Sequence, residues 1–254
     1  MSHTDHPGIV TDIRPSATAC ALVRKLGTMT LLSEEEVQYL DGLHTNRVSV
    51  AKGVDFIEDG QDFAATFIVM RGWVVRYALT QDGKRQILSF ALPGDILGFH
   101  SNFRRTASYS AAALVDTELA AVEPTRMVEI SRQFPVLAAG LSWSTAREFS
   151  ILGDQALRLG RLTAYERVSH ILLELWHRLR LVGETDQHWM DLPMTQNDLA
   201  DALGLSIVHI NRQLRRLRSE GLITIVNDCV RLEDIERLID VSGFQRDHLT
   251  EFRL

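Results

Sequence analysis

An arginine-rich segment in the last third of the chain carries the clearest chemistry. Residues 206–219 contain four arginines and no carboxylate. Guanidinium groups donate paired hydrogen bonds to phosphate oxygens and to the O6 and N7 atoms of guanine. Affinity for DNA depends on the phosphates neutralised locally, so the formal net charge of −6 does not oppose binding. The segment is therefore predicted to contact DNA.

Two short helices joined by a tight turn must position these arginines. Thr195 is predicted to cap the first helix, because its hydroxyl can accept from a backbone N–H near Asp198. Gly204 suits a left-handed turn, and Ser206 is predicted to cap the second helix. Three apolar residues recur along the second helix at helical spacing and should be buried: Ile210, Leu214 and Leu217. The pattern predicts a helix-turn-helix.

The opposite face of the second helix is predicted to enter the major groove. The first residues of such a helix meet base edges, and later ones lie near phosphates. The base-edge candidates are Val208, His209, Asn211 and Arg212, and the phosphate candidates are Arg215, Arg216 and Arg218. Thr195, Gln196 and Ser206 complete the predicted DNA-binding set. The alternative is an ordinary two-helix hairpin whose arginines form a solvated face.

Length and composition predict a globular protein. The 254 residues are 45% hydrophobic, enough for one large core or two medium ones. No apolar run approaches the roughly 18 residues of a membrane span, and the start of the chain lacks the regions of a signal peptide, so we expect a cytoplasmic location and no membrane partner. The two cysteines, Cys20 and Cys229, form neither a disulfide framework nor a four-thiolate metal set.

The first half is predicted to be mainly β-structure. Residues 1–20 lack apolar periodicity and are predicted to be a flexible tail, and a short helix follows from about Ser33 to Leu40. From Val48 onward, short apolar segments are bounded by glycine or aspartate, and Asp82-Gly83 favours a two-residue type I′ hairpin. Residues 21–134 are predicted to form a β-roll of roughly eight strands.

Helices are predicted after the roll. Residues 135–163 form a long dimerisation helix with an apolar side made of Leu137, Leu141, Ile151, Leu152, Leu159 and Leu162, interrupted by Ser144, Glu148 and Gln155. A second amphipathic helix, residues 165–181, turns five residues inward: Ile171, Leu172, Leu175, Trp176 and Leu179. Short apolar segments on either side of Asn227-Asp228 predict a β-wing, which places a winged DNA-binding domain at residues 164–254.

This order of elements resembles the bacterial family of the cyclic-AMP receptor protein and the fumarate-nitrate regulator, the CRP/FNR family. The resemblance covers about residues 40–238 and is most specific at residues 52–60, 82–98 and in the helix-turn-helix, where LGLSIVHINRQL is similar to FixK-like alphaproteobacterial members. The family implies an α+β fold with a cyclic-nucleotide-binding-like β-roll, a long dimerisation helix and a C-terminal winged helix-turn-helix. It also implies a homodimer that binds palindromic double-stranded DNA and activates or represses transcription, with RNA polymerase as a further partner.

The sequence departs from the family at the nucleotide pocket. Nucleotide-binding members have a glutamate after the glycine that aligns with Gly98, where this chain has Phe99. They also have an arginine against the cyclic phosphate, but Ser108 lies in the aligned triplet and Arg105 matches only after a two-residue shift. A buried phosphate without a cation carries a large desolvation cost. These four residues stay the candidate ligand set, and cyclic AMP is not expected as a cofactor.

Other cofactors of such regulators also fit poorly. An oxygen-labile iron–sulfur cluster needs four cysteines, which excludes it here. Haem ligation by His44 or His100 is not expected, because such histidines are usually solvated or hydrogen-bonded. Cys20 and Cys229 are each a conceivable redox handle, but we expect inert thiols, since no activating cation adjoins either in sequence. No cofactor is therefore predicted.

The recognition helix departs from the family as well. Val208 lies where the family usually has a glutamate that accepts from cytosine N4, and Ile207 lies where an arginine is common. Valine can pack against a thymine methyl group, while Arg212 can still bind guanine. The sequence thus predicts a DNA half-site that keeps a guanine contact but differs from the consensus half-site of the enteric family members at the base pair under Val208.

Two other classes of function are weighed against this interpretation. An enzyme would need a nucleophile, a metal spacing or a phosphate-binding loop, and the sequence has none of these motifs, so no enzymatic activity is predicted. A sensor module whose roll binds a cyclic nucleotide or another small molecule would keep the roll but would not need the arginine face.

Overall fold

The computed structural model describes residues 19–62, 65–98 and 106–245 and has the predicted α+β fold. Its helices are α1 (Ala21–Gly27), α2 (Glu34–Gly42), α3 (Pro124–Gln133), α4 (Pro135–Arg161), α5 (Ala164–Leu181), α6 (Gln196–Leu203), α7 (Ile207–Ser219) and α8 (Ile235–Ser242). The β-roll strands are β1 (Arg47–Val50), β2 (Asp55–Ile57), β3 (Thr66–Arg71), β4 (Val74–Leu79), β5 (Arg85–Ala91), β6 (Ile96–Leu97), β7 (Ser110–Ala113) and β8 (Thr117–Val122). The wing contains β9 (Trp189–Asp191), β10 (Ile223–Val226) and β11 (Cys229–Leu232).

The roll consists of two antiparallel sheets. One sheet has the strand order β1-β8-β3-β6 and the other β2-β7-β4-β5. Their inner faces share a core that includes Val69, Val74, Leu97 and Leu119, all fully buried. The eight strands found in the described part of the roll agree with the predicted number.

The hairpin between β4 and β5 corrects one prediction. A type I′ turn needs positive φ at both central residues, but in this loop only Gly83 has a positive φ, +78°. The Thr80 N–H donates to the Lys84 carbonyl at 2.9 Å, and the Gly83 N–H donates to the Thr80 carbonyl at 2.9 Å. The loop therefore has three residues, with glycine in the one left-handed position, because Asp82 keeps an ordinary φ.

The start of the described chain differs from the prediction. Residues 1–18, most of the predicted tail, lie outside the described residues, whereas Cys20 caps α1, a helix that the sequence pattern does not predict. Helix α2 is confirmed, with a capping box between Ser33 and Glu36. Helices α3 and α8 are further elements that we did not predict.

The long helix α4 is confirmed, but its buried side agrees only in part with the predicted apolar side. Leu137, Leu141 and Ile151 are buried as expected, whereas Leu152 is 43% exposed. Two residues predicted to interrupt the apolar side lie in the protomer's own interior: Glu148 accepts from Arg76 at 3.0 Å, and Gln155 donates to the Ala202 carbonyl at 2.5 Å. These polar side chains can be buried because their hydrogen bonds are satisfied there.

Helix α5 joins the roll to the helix-turn-helix in one apolar core. Its five predicted inward residues are all buried. Trp176 of α5, Trp73 and Phe90 of the roll, and Leu214 of α7 belong to the same cluster. This continuous core crosses the domain boundary that we predict at residues 163–164.

Buried charges link the same parts of the molecule. Arg178 of α5 donates to Glu174 at 3.0 Å and to Asp95 at 2.5 Å, while Lys25 of α1 donates to Asp95 at 2.8 Å. Glu174 also accepts from Arg158 of α4. Burial alone would raise the pKa of Asp95, but Lys25 and Arg178 hold that pKa well below its usual range. These bridges fix α1, α4 and α5 to the roll.

A helix that crosses a membrane must be both long and strongly apolar. No helix in the described ranges meets both requirements.

Candidate nucleic-acid interface

The helix-turn-helix is built as the sequence predicts. The Thr195 hydroxyl accepts from the Asp198 N–H at 3.1 Å, and the Asp198 carboxylate accepts from the Thr195 N–H at 2.9 Å, which forms a capping box at α6. Gly204 ends α6 with φ +60°, and a Cβ there would lie 3.2 Å from Leu159. Ser206 caps α7 by accepting from the His209 N–H. The turn angle between α6 and α7 is thus set by local sequence.

Helix α7 has one buried side and one exposed side. Ile210, Leu214 and Leu217 are buried as predicted. Val208 is 75% exposed, and Arg212 and Arg215 are exposed beside it. No side chain in the described part of the chain pairs with either arginine. The face therefore offers two free guanidinium groups next to an apolar side chain.

Two further predicted residues form a bridge between α6 and α7. Asn211 donates to the Gln196 side-chain oxygen at 2.7 Å. Ser206 and His209 approach each other through Oγ and Nδ1 at 3.0 Å. These contacts hold polar side chains on the exposed edge of the face.

Arg216, for which a phosphate contact stays a prediction, pairs with an acid of its own helix end. Its Nε donates to Glu220 at 2.8 Å, and its guanidinium lies 3.9 Å from the Tyr165 ring centroid. The Tyr165 hydroxyl also donates to Glu220, and burial together with this bond raises the pKa of Tyr165 to about 12. The arginine cluster therefore does have an acid neighbour. The signal was in the sequence, because Glu220 lies four residues after Arg216, the spacing of helical ion pairs.

The predicted wing is present and has a third strand. β10 and β11 pair across a two-residue turn in which Asn227 has φ +52°, and β9 pairs with β11. The Cys229 thiol donates to Asp191 at 3.4 Å, and this bond raises the pKa of Cys229. A neutral thiol is a weak nucleophile, and the inert role of Cys229 stays a prediction.

The roll contacts the helix-turn-helix directly through β5. Arg85 donates to Asp198 at 2.6 Å and to Asp201 at 2.8 Å. Gln86 donates to the Asp201 carbonyl at 2.8 Å. These contacts hold α6 against the roll, and sequence reasoning missed them because the partners lie 113–116 positions apart.

The candidate ligand residues in the roll are only partly described. Phe99 and Arg105 lie outside the described residues, and Ser108 is exposed. The Gly98 N–H donates to the Tyr109 hydroxyl at 3.0 Å. Arg76 lies near the Tyr109 ring, but its Nε donates to Ser89 at 2.7 Å and its Nη1 to Glu148.

Arg76 is buried in the roll and paired within the chain. Burial disfavours the charged form of Arg76, but the Glu148 carboxylate raises the pKa of Arg76 and neutralises its charge. The Arg76 guanidinium is thus engaged with Ser89 and Glu148 instead of being free for a phosphate.

Comparison with known proteins agrees with this geometry. Residues 166–241 match the family described as the Crp-like helix-turn-helix domain, and residues 47–134 match the cyclic nucleotide-binding domain. The transcriptional activatory protein AadR of Rhodopseudomonas palustris is 32% identical over 238 residues, which cover 93% of this chain and 97% of AadR. The nitrogen fixation regulation protein FixK of Bradyrhizobium diazoefficiens is 31% identical over 230 residues, covering 89% and 94%.

A solved structure gives the same result. FixK2 from Bradyrhizobium japonicum aligns with a TM-score of 0.69 and 30% identity, over 77% of this chain and 96% of FixK2. The predicted resemblance to FixK-like members is therefore confirmed, and the relatives are named as regulatory proteins rather than as enzymes. The chain belongs to the CRP/FNR family of transcription regulators.

Proposed function

We propose that this protein is a homodimeric regulator that reads a palindromic DNA site, with one α7 helix in the major groove of each half-site. The observation that carries the proposal is the pair of free guanidinium groups, Arg212 and Arg215, on a helix whose other side is buried. Such a regulator works where the chromosome lies, which in bacteria is the cytoplasm. Because AadR is named an activatory protein, we propose activation through contact with RNA polymerase.

Binding-site selection from a random DNA pool tests this function. Val208 accepts no hydrogen bond and suits a thymine methyl, whereas Arg212 suits guanine. We expect a symmetric site that keeps one guanine per half and differs from the enteric half-site at the base pair under Val208. A Val208→Glu variant is the matched control and should shift that one position toward cytosine. Recovery of the unchanged enteric half-site, or of no common sequence, contradicts the proposal.

The dimer is proposed to form through the exposed side of α4. Exposed residues recur along this helix with alternating three- and four-residue spacing: Ser142, Ala146, Phe149, Gly153, Ala156 and Gly160. Phe149 is 79% exposed. Contact of so much aromatic surface with water is unfavourable unless another surface covers it. This spacing is that of a two-helix coiled coil, in which small residues allow close approach.

Substitution of Phe149 by alanine tests the dimer. We expect the dimer dissociation constant to rise about tenfold or more, because aromatic residues at interface centres dominate binding energy. Analytical ultracentrifugation measures the change. Val128 on α3, 52% exposed and away from the α4 stripe, provides the control variant Val128→Ala. An unchanged dimer in Phe149→Ala places the interface elsewhere.

The alternative function is a sensor in which a cyclic nucleotide or another small molecule binds the roll and switches DNA binding. The match of residues 47–134 to the cyclic nucleotide-binding domain favours it. We propose DNA binding without cyclic AMP, since Gly98 and Arg76 already have partners within the chain. Calorimetry with cyclic AMP, followed by DNA binding with and without it, separates the two functions.

A further inference from the structure

A cysteine, an aspartate and a histidine meet beside the roll. The Cys20 Sγ lies 3.6 Å from the His44 Nε2. An Asp41 carboxylate oxygen lies 3.9 Å from the His44 Nδ1. The three donor atoms all lie within 4.8 Å of one another. His44 is buried, Cys20 is half-buried and Asp41 is exposed, so the group opens to solvent on one side only.

The backbone holds two of these donors in place. The Val23 N–H donates to the Cys20 sulfur at 3.4 Å, which fixes the side chain at the start of α1. The His44 N–H donates to the Asp41 carbonyl at 3.2 Å, and Arg47 donates to the His44 carbonyl at 2.9 Å. The site is therefore organised before any ligand binds, and only the exposed Asp41 side chain has room to move.

The distances suit a transition-metal ion. Zinc binds thiolate sulfur at about 2.3 Å and imidazole nitrogen at about 2.0–2.1 Å, so a tetrahedral ion separates sulfur from nitrogen by about 3.6 Å. The observed separation of Cys20 Sγ and His44 Nε2 is 3.6 Å. A carboxylate oxygen needs to approach by about 1 Å to complete a third ligand position, and the exposed Asp41 can do so.

We propose that Cys20, Asp41 and His44 bind a divalent transition-metal ion of the zinc class, with water as the fourth ligand. The metal replaces the thiol proton of Cys20, which leaves to solvent, and no oxidant or reductant is involved. Sulfur and nitrogen donors select zinc-like ions over magnesium or calcium, which prefer oxygen donors. These residues do not follow the spacing of a metal-binding motif along the chain, so the sequence gave no signal of the site.

The thiol–imidazole pair also has a simpler interpretation, a hydrogen bond from the Cys20 thiol to His44 that only stabilises α1. The two interpretations differ in what added metal does. A structural hydrogen bond predicts no stoichiometric metal binding, whereas a site predicts one ion per protomer and a visible thiolate-to-metal transition.

Titration of the metal-free full-length protein with Co²⁺ alone, then with Zn²⁺, tests the proposal. We expect one Co²⁺ per protomer, with a thiolate-to-cobalt charge-transfer band that Zn²⁺ removes by competition. Cys20→Ser should abolish the band, and Asp41→Asn should weaken Co²⁺ affinity about tenfold or more, since even the outer partners of metal ligands contribute that much. Asp41 is exposed, so its variant keeps the test valid if Cys20→Ser does not fold.

Cys229→Ser is the matched control, because it removes the other cysteine, which lies in the wing. It should retain the charge-transfer band and the Co²⁺ affinity. The proposal is overturned if no band appears, if Asp41→Asn binds Co²⁺ as tightly as the unaltered chain, or if the band disappears in Cys229→Ser instead of Cys20→Ser.

Discussion

Replacement of Glu174 by alanine should lower the free energy of unfolding by about 3–5 kcal/mol, the usual cost of removing one partner of a buried ion pair. Glu174 accepts from both Arg158 and Arg178, and all three side chains are at most 4% exposed. Burial alone would raise the pKa of Glu174, but the two arginines lower it, so the residue is charged near neutral pH. Its loss leaves the two guanidinium groups without this carboxylate in a site that water does not reach.

Urea denaturation of full-length Glu174→Ala measures the effect as a lower transition midpoint at an unchanged slope. Glu184→Ala is the matched control, because it removes a carboxylate that pairs with Arg24 at 2.9 Å but is 44% exposed. Such a pair contributes about 1 kcal/mol or less. Equal midpoints for the two variants would mean that the buried network contributes no more than a surface ion pair.

Local features of this fold could be predicted from the sequence because their partners are close along the chain. The capping boxes at Ser33 and Thr195 each join residues three positions apart, and the left-handed end of α6 depends on Gly204 alone. The same holds for the apolar stripe of α7, whose members repeat at the helical period. These signals were sufficient to place the helix-turn-helix and its exposed face.

Contacts between distant residues could not be predicted in this way. Arg178 and Asp95 are 83 positions apart, and a single sequence carries no sign that they meet. Charged residues usually lie on the surface, so Glu174 and Arg158 within amphipathic helices are assigned to solvent by pattern alone. The meeting of Cys20 and His44 has the same origin, since it depends on how α1 and α2 pack.

The buried network also affects the exposed face of α4. Because Glu148, Gln155 and Arg158 turn toward the roll and α5, the opposite side of the helix exposes Phe149, Leu157 and several small residues. Three members of the predicted apolar side, Leu137, Leu141 and Ile151, are instead buried within the chain. This exposed side is the one that we propose for the contact between two copies.

Arg212→Ala should weaken binding to the selected operator by about 1–3 kcal/mol for each half-site, counted twice in a symmetric dimer, and should relax one base position. Arg212 is exposed in the first half of α7, where side chains meet base edges. No side chain among the described residues pairs with its guanidinium, so all of its hydrogen-bond donors are available to guanine.

Two arginines of the same helix are the controls for Arg212→Ala. Arg215→Ala removes a free charge in the second half of α7, so it should weaken binding to all DNA sequences alike. The slope of the logarithm of the binding constant against the logarithm of the salt concentration should become shallower by about 0.9 for each phosphate that is no longer neutralised. Arg216→Ala should change the salt dependence less, because Glu220 already pairs with Arg216 at 2.8 Å. Titration of operator and scrambled duplexes at several salt concentrations separates the three variants. If Arg212→Ala weakened both duplexes equally, Arg212 would bind phosphate and the guanine would have to be read by another residue.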